Sequence, residues 1–416
     1  MKVLIIPYYL YTHYQTFKVL SEELESYNIS VKFFYIRGVK SIDEYNKIYL
    51  DQIPPDKLVQ PKTINLGTKT DIFSRSIRLI KYLYNFYEVK LKLYSESPDL
   101  IILGSDAGGI YIRKVQEILQ KRNIPIVVLQ GVMFLPIKER KELEINYSQF
   151  TKKVFDILGL RKVFTNICDV PGMYLPNNYI FALGKTSKSI FESFGKKPCL
   201  IFETGNPSND QIKIAIKDKC GNNNSEIKEL LKIDTRHQYV IYFTEMIQEI
   251  NGEAYFDDFN IFLKEICDKL PKDIFLVIKP HPRENEYTIK KLSRLFKGDK
   301  YRFIYNADNN ALIYSSLLSV AHTSTVLFNA ILLNKPILSI NFNKTNCFYQ
   351  FPENVVVKNK EEFLFFINSF LNNKEFKQNI LKYLMIWKEN NIYNSRTFDS
   401  TIQTAKAVIS ILEGKT

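Results

Sequence analysis

The chain has 416 residues, 45% of them apolar, with a formal net charge of +13 from 57 Lys and Arg against 44 Asp and Glu. That length corresponds to about two or three domains and the apolar share is ample for real cores. The positive balance and 26 Tyr point to an anionic partner, whether a nucleotide diphosphate, a charged glycan, a membrane surface or nucleic acid.

Five cysteines (Cys168, Cys199, Cys220, Cys267 and Cys347) lie far apart, without CxxC spacing and in odd number, so neither a disulfide framework nor a zinc site is indicated. The apolar VLII after Lys2 is too short for a secretory signal, and no later run reaches the ~20 apolar residues that span a bilayer. A cytoplasmic protein is expected, with the inner face of the cell membrane as a possible place of contact. No RNP-like, KH-like or zinc-finger pattern is present and the basic residues are scattered, so nucleic acid is not an expected partner.

In chain order, Lys2 to Pro7 reads as a buried strand, Tyr14 to Tyr27 as a helix and VKFFYI as the next strand, which makes a βαβ opening. Ile72 to Tyr94 is periodic enough for a long helix. The strand Leu100 to Leu103 then runs into Gly104, Ser105, Asp106, Ala107, Gly108 and Gly109, whose small residues admit a ligand close to the backbone. A helix over Ile110 to Arg122 and the strand IPIVVL follow. From Pro136 to Asn178 charge alternates with apolar residues, which fits an acceptor-binding insertion, a basic amphipathic patch on anionic lipid, or an ordinary surface helix.

The later half alternates strands and helices: strand Tyr239 to Phe243 with Thr244 and Glu245 after it, helix Phe256 to Leu270, strand Ile274 to Ile278, helix Thr288 to Phe296, strand Tyr301 to Ile304 and helix Asn309 to Ser316. This rhythm implies a parallel, doubly wound sheet. Glu361 to Leu412 reads as mostly helical.

Two strand ends in this half concentrate chemistry. Ile274 to Ile278 feeds KPHPRE (Lys279 to Glu284), and Leu317 to Ala321 feeds HTST (His322 to Thr325) at the start of an apolar helix. The two strands are expected to be neighbours. In an open α/β sheet, ligands bind beyond the carboxyl ends of the strands, where helix N-termini present unpaired N–H groups to anions. Lys279, Pro282, Arg283, Glu284, His322, Thr323, Ser324 and Thr325, with Thr244, Glu245 and Gly108, are the candidate substrate-binding residues. His281 suits a donor that stabilises a leaving phosphate as its charge grows. Thr323, Ser324 and Thr325 serve equally well as ordinary helix caps. No convincing DxD pair is present, since Asp257 and Asp258 fall at a predicted helix start, so no metal or other cofactor is expected and basic side chains would meet the diphosphate.

The order of an HP pair after one strand and an S/T cluster after a later one resembles the nucleotide-sugar half of GT-B glycosyltransferases. The nearest likenesses are bacterial sialyltransferases that use CMP-sugars, CDP-glycerol-dependent polymer transferases and UDP-GlcNAc 2-epimerases. The resemblance implies two Rossmann-like domains facing a cleft: an acceptor-binding domain at 1–205, a nucleotide-sugar domain at 206–395, and a final helix at 396–416 crossing back to the first. The run CLIFETGNPSNDQ resembles the end of the first domain, with its G-N-P at the crossing, and the polar CGNNNS is expected to be an exposed loop.

The resemblance further implies catalytic roles for His281 and for a base drawn from Asp106 or His13. The family turn at Asp106 usually reads D/E-D/E-G where this chain has S-D-A-G. The implied reaction is metal-independent, inverting transfer of an acidic sugar from a CMP-activated donor to a glycan, lipid-linked or protein acceptor. A UDP-sugar transferase, a UDP-sugar 2-epimerase, a CDP-glycerol-type transferase and, in another class, a basic nucleic-acid-binding protein are the alternatives.

Overall fold

A computed structural model describes the chain except residues 8–9, 37–45, 65–71, 105–109, 132–141, 145–152, 154–155, 158–165, 169–173, 213–222, 246–250, 282–283, 323, 343–350, 394–396 and 416; for 10–13, 72–76, 78, 142–144, 166–168 and 223–225 it describes the backbone.

The first half builds β1 (Lys2–Ile6), α1 (Leu10–Ser26), β2 (Ser30–Phe34), β3 (Leu58–Val59), α2 (Ile72–Glu96), β4 (Leu100–Leu103), α3 (Ile110–Gln120), β5 (Ile126–Leu129), β6 (Glu142–Glu144), β7 (Asn166–Cys168), β8 (Tyr179–Ala182), α4 (Lys185–Ser193) and β9 (Ile201–Glu203). Its main sheet is parallel throughout, in the order β3-β2-β1-β4-β5-β8-β9, while β6 and β7 form a separate antiparallel pair. The strands VLII, LIIL and IVVL are uninterrupted apolar runs because both faces are covered. On one face lie Phe17, Leu20 and Leu24 of α1; on the other lie Val89 and Leu93 of α2 with Val115 and Leu119 of α3.

The second half follows the same plan: α5 (Asn223–Leu230), β10 (Gln238–Phe243), α6 (Glu253–Lys269), β11 (Ile274–Lys279), α7 (Glu286–Leu295), β12 (Tyr301–Phe303), α8 (Asn309–Ser315), β13 (Leu318–Ala321), α9 (Val326–Leu332), β14 (Ile337–Ile340) and β15 (Val356–Val357). These strands make a six-stranded parallel sheet in the order β12-β11-β10-β13-β14-β15. The strands expected as neighbours, β11 and β13, are separated by β10, which pairs with both. The expectation failed because a doubly wound sheet grows outward from its first strand in two directions, and succession along the chain does not give spatial order.

The C-terminal region is α10 (Lys360–Asn372), α11 (Lys374–Asn391) and α12 (Ser400–Leu412). Ala405, Val408 and Ile411 of α12 pack into the core made by β1, β4 and α1 of the first sheet. Asp210 holds the start of α12, its carboxylate accepting from the Thr401 backbone N–H (2.8 Å) and hydroxyl (2.7 Å) and from the Ser400 N–H (3.2 Å). Gly205 makes the approach possible. Its φ is +74°, and a Cβ there would stand 3.1 Å from Ser400 Cβ and nearer still to its hydroxyl, so only glycine fits without strain. The next residue, Asn206, accepts from Thr16 of α1 (3.3 Å) and donates to the Gly131 carbonyl (3.2 Å). Two parallel α/β domains of this kind, with helices on their faces, constitute the GT-B architecture.

Candidate functional site

All strands of the second sheet are parallel, so the segments leaving β10, β11 and β13 emerge on one edge. β11 and β13 stand two strand spacings apart, roughly 10 Å. That is a span suited to a phosphorylated group gripped from two sides.

The turn after β11 is tied down by the residue after β10. The Thr244 N–H donates to the Lys279 carbonyl (3.1 Å), extending the ladder by one step. Its hydroxyl oxygen accepts from the His281 N–H (2.9 Å) and donates to Glu284 Oε2 (2.9 Å). Glu284 closes the turn through its own N–H to the His281 carbonyl (2.9 Å), and Asn285 then caps α7 by accepting from Thr288 (2.8 Å). Thr244 is buried, so its one hydroxyl fixes the height and direction of His281 from below. Lys279 turns away from this knot: its ammonium donates to the Tyr305 carbonyl beyond β12, and burial lowers its pKa from the usual lysine value. Pro282 and Arg283 lie outside the described residues.

After β13 the picture differs from that expected of a phosphate ligand. The His322 ring is 5% exposed and stands edge-to-face on Phe259, with ring centres 4.6 Å apart. Its Nε2 meets the Tyr255 hydroxyl at 3.1 Å, and Ser339 donates to its carbonyl (2.7 Å). Burial drives its pKa down to about 3, so the imidazole is neutral at ordinary pH. The side chain is thus a prop beneath the loop. Its Nδ1 and the Tyr242 hydroxyl are both buried, without a hydrogen-bond partner among the described residues.

Ser324 Oγ accepts weakly from the Val326 N–H (3.4 Å), and Thr325, at the N-cap of α9, makes no side-chain cap bond. The Thr325 hydroxyl is therefore not consumed by capping. Thr323 lies outside the described residues.

Of the first-half candidates, Asp106 and Gly108 fall outside the described residues, in the segment leaving β4 at the middle of the first sheet. His13, expected in a loop, belongs by its backbone to α1, which begins at Leu10. Glu245 is half-buried beside Thr244. Asp257 and Asp258 lie within α6 and are engaged by Lys291 (2.6 Å) and Lys360 (2.8 Å). Among the described residues no group of three or more His, Cys, Asp or Glu is placed to share a metal ion, and no helix is long and apolar enough to cross a membrane.

Residues 172–382 match the family model described as CDP-Glycerol:Poly(glycerophosphate) glycerophosphotransferase. No curated protein sequence compared with the chain matches it significantly. Among solved structures, the chain is similar to UDP-GlcNAc 2-epimerase from Neisseria meningitidis bound to UDP-GlcNAc (15% identity, TM-score 0.59, 100% of both chains covered). It is similar also to the S. aureus MnaA–UDP complex (14% identity, TM-score 0.63, covering 99% of this chain and 97% of that one). The wall teichoic acid polymerase TagF matches at 13% identity and TM-score 0.52, over 100% of this chain and 89% of that one. At such identities these likenesses establish a shared fold.

Proposed function

The chain belongs to the CDP-glycerol:poly(glycerophosphate) glycerophosphotransferase family, a transferase family with a nucleotide-activated donor, and from that premise we propose that it transfers glycerol phosphate, or a closely related alditol phosphate, from a CDP-linked donor to an acceptor hydroxyl. The observation that carries this reading is the span of the family match. Residues 172–382 take in the whole Thr244–His281–Glu284 knot and the segment from His322 to Thr325. The donor expected from the sequence, a CMP-activated acidic sugar, gives way to a CDP-alditol; the cytidine nucleotide is retained and the transferred group changes.

In the proposed reaction the acceptor oxygen attacks the phosphorus that bears glycerol. The bond from that phosphorus to the oxygen of CMP breaks, CMP departs, and the acceptor proton passes to a base. Attack falls on phosphorus, so no anomeric carbon is inverted. His281, held through its backbone by Thr244, donates to the departing phosphate, and Ser324 and Thr325 with Thr323 contact it from the β13 side. Asp106 or His13 takes the proton. On this reading residues 1–205 carry the acceptor, 206–395 the donor, and 396–416 belong with the first domain.

The test is release of free CMP from CDP-glycerol in the presence of acceptor, with CMP-sialic acid and UDP-GlcNAc as competing donors. CMP from CDP-glycerol alone, lost in His281→Ala, supports the proposal. A second reading, a UDP-sugar enzyme, draws on the higher TM-scores of the structures with bound UDP-GlcNAc or UDP (0.59 and 0.63 against 0.52). UDP release or epimerised UDP-GlcNAc from the same panel would favour it.

A further inference from the structure

We propose that the floor beneath the candidate site binds one internal water molecule between His322 Nδ1 and the Tyr242 hydroxyl, and that Tyr242 and His322 act through it as positioning residues for the two loops above. The second sheet starts at β10 and grows a strand on either side, so strand order reverses between β10 and β13. At such a reversal an open α/β sheet leaves room beyond its strand ends. Tyr242 of β10 pairs with Val320 of β13. Two steps further along that register Thr244 falls beside His322, and alternation puts all four side chains on one face. That face is the one α6 covers: the rings of Tyr242 and His322 stand 5.7 and 4.6 Å from Phe259, and 6.4 Å from each other.

Tyr242 is 0% exposed, and neither its hydroxyl nor His322 Nδ1 has a hydrogen-bond partner among the described residues. Leaving either atom unpaired in the interior is unfavourable, and two such atoms on neighbouring rings mark a place that a small polar molecule fills. Both groups are neutral. Burial, with the charges of Glu245 and Glu284 adding to it, pushes the Tyr242 phenol well above its ordinary value, and burial keeps the proton off the imidazole. The Tyr255 hydroxyl occupies Nε2, so Nδ1 is a donor or an acceptor according to which way that bond runs. A phenol gives or takes a hydrogen and water does both at once, so one water completes the pair in either tautomer. Buried waters make about three hydrogen bonds. The third partner is the Thr244 oxygen, which keeps a lone pair after accepting from the His281 N–H. Contacts then run from Tyr255 through His322 and the water to Tyr242 and Thr244, so one joint sets the β13 loop against the His281 turn. Only the consequence for turnover rests on the proposed transfer reaction.

The experiment compares the full chain as wild type, Tyr242→Phe, His322→Gln and the double variant. A crystal structure should show a water between Tyr242 and His322 that is lost in Tyr242→Phe. Amide exchange at both His281 and Val326 should rise at least about tenfold in Tyr242→Phe, with Val240 and Ile241 in the middle of β10 unchanged. The thermal midpoint should fall, and the double variant should lose less than the sum of the single losses, because both changes evict the same water. In CMP release from CDP-glycerol, Tyr242→Phe should lower turnover at least about tenfold and move KM less than about twofold, a split that general loosening of the fold does not give. No density between the two rings, unchanged exchange at either amide, or additive losses would overturn the proposal. So would a raised midpoint in Tyr242→Phe, the result of deleting a hydroxyl that bonds to nothing. Unchanged turnover would overturn the positioning role. A wild type that releases no CMP would sink the transferase reading alone, and the density, the exchange and the midpoints would still decide this one.

Discussion

The Thr244 hydroxyl, one residue past the end of β10, holds two partners: the His281 N–H and the Glu284 carboxylate. Valine matches its shape and loses both bonds, leaving a donor and a carboxylate short of a partner. Thr244→Val should cost about 1–3 kcal/mol in denaturant unfolding. It should also lower turnover more than it raises KM, because the turn that sets the direction of His281 loosens; Thr244→Ser should recover most of both. A variant with full turnover and reduced stability would show that Thr244 only braces the fold.

His322 gives a pH-dependent prediction. Its pKa falls from 6.5 to about 3 on folding because burial disfavours the cation. The unfolded chain therefore binds a proton that the folded chain refuses. The stabilisation is complete above pH 6.5, erodes at up to ~1.4 kcal/mol per pH unit below it, and stops eroding near the folded value. His322→Gln should flatten that part of the acid limb in urea titrations between pH 6.5 and 4. An unchanged difference between the two proteins across that range would mean the imidazole is charged in the fold.

At the scale of elements, the reach of the sequence depended on how local each cause is. KPHPRE was legible because an apolar run of strand length stops at a proline and a polar turn, all within neighbouring residues. The bond from Thr244 to His281 crosses 37 positions, and the contact of Tyr255 with His322 crosses 67. No window along the chain contains either, so His322 looked like a ligand when it is a buried prop. The insertion of β10 between β11 and β13 was hidden for the same reason. By contrast the G-N-P run carried its own signal: a glycine in the left-handed region followed by an asparagine that bonds backward to α1 and Gly131. Gly205→Ala should destabilise by about 1–3 kcal/mol, from φ strain and from collision with Ser400, and should loosen α12 first. Faster amide exchange in α12 than in β10 would show this; equal protection in both would contradict it.

At the scale of the whole molecule, two parallel sheets put the segments proposed to carry the chemistry at strand ends while the cores beneath stay apolar and buried. α12 returns to the first sheet and, with Asp210 at its start, ties the chain's last helix to the core built by its first. The net charge of +13 suits the anionic nucleotide donor proposed for the edge of the second sheet. The most direct measurement is the release of CMP from CDP-glycerol by the purified protein with acceptor present. CMP is expected as the sole nucleotide product, its rate of release reduced at least about a hundredfold by His281→Ala. Nucleotide released only from UDP-GlcNAc or CMP-sialic acid, or a His281→Ala protein as active as the original, would contradict it.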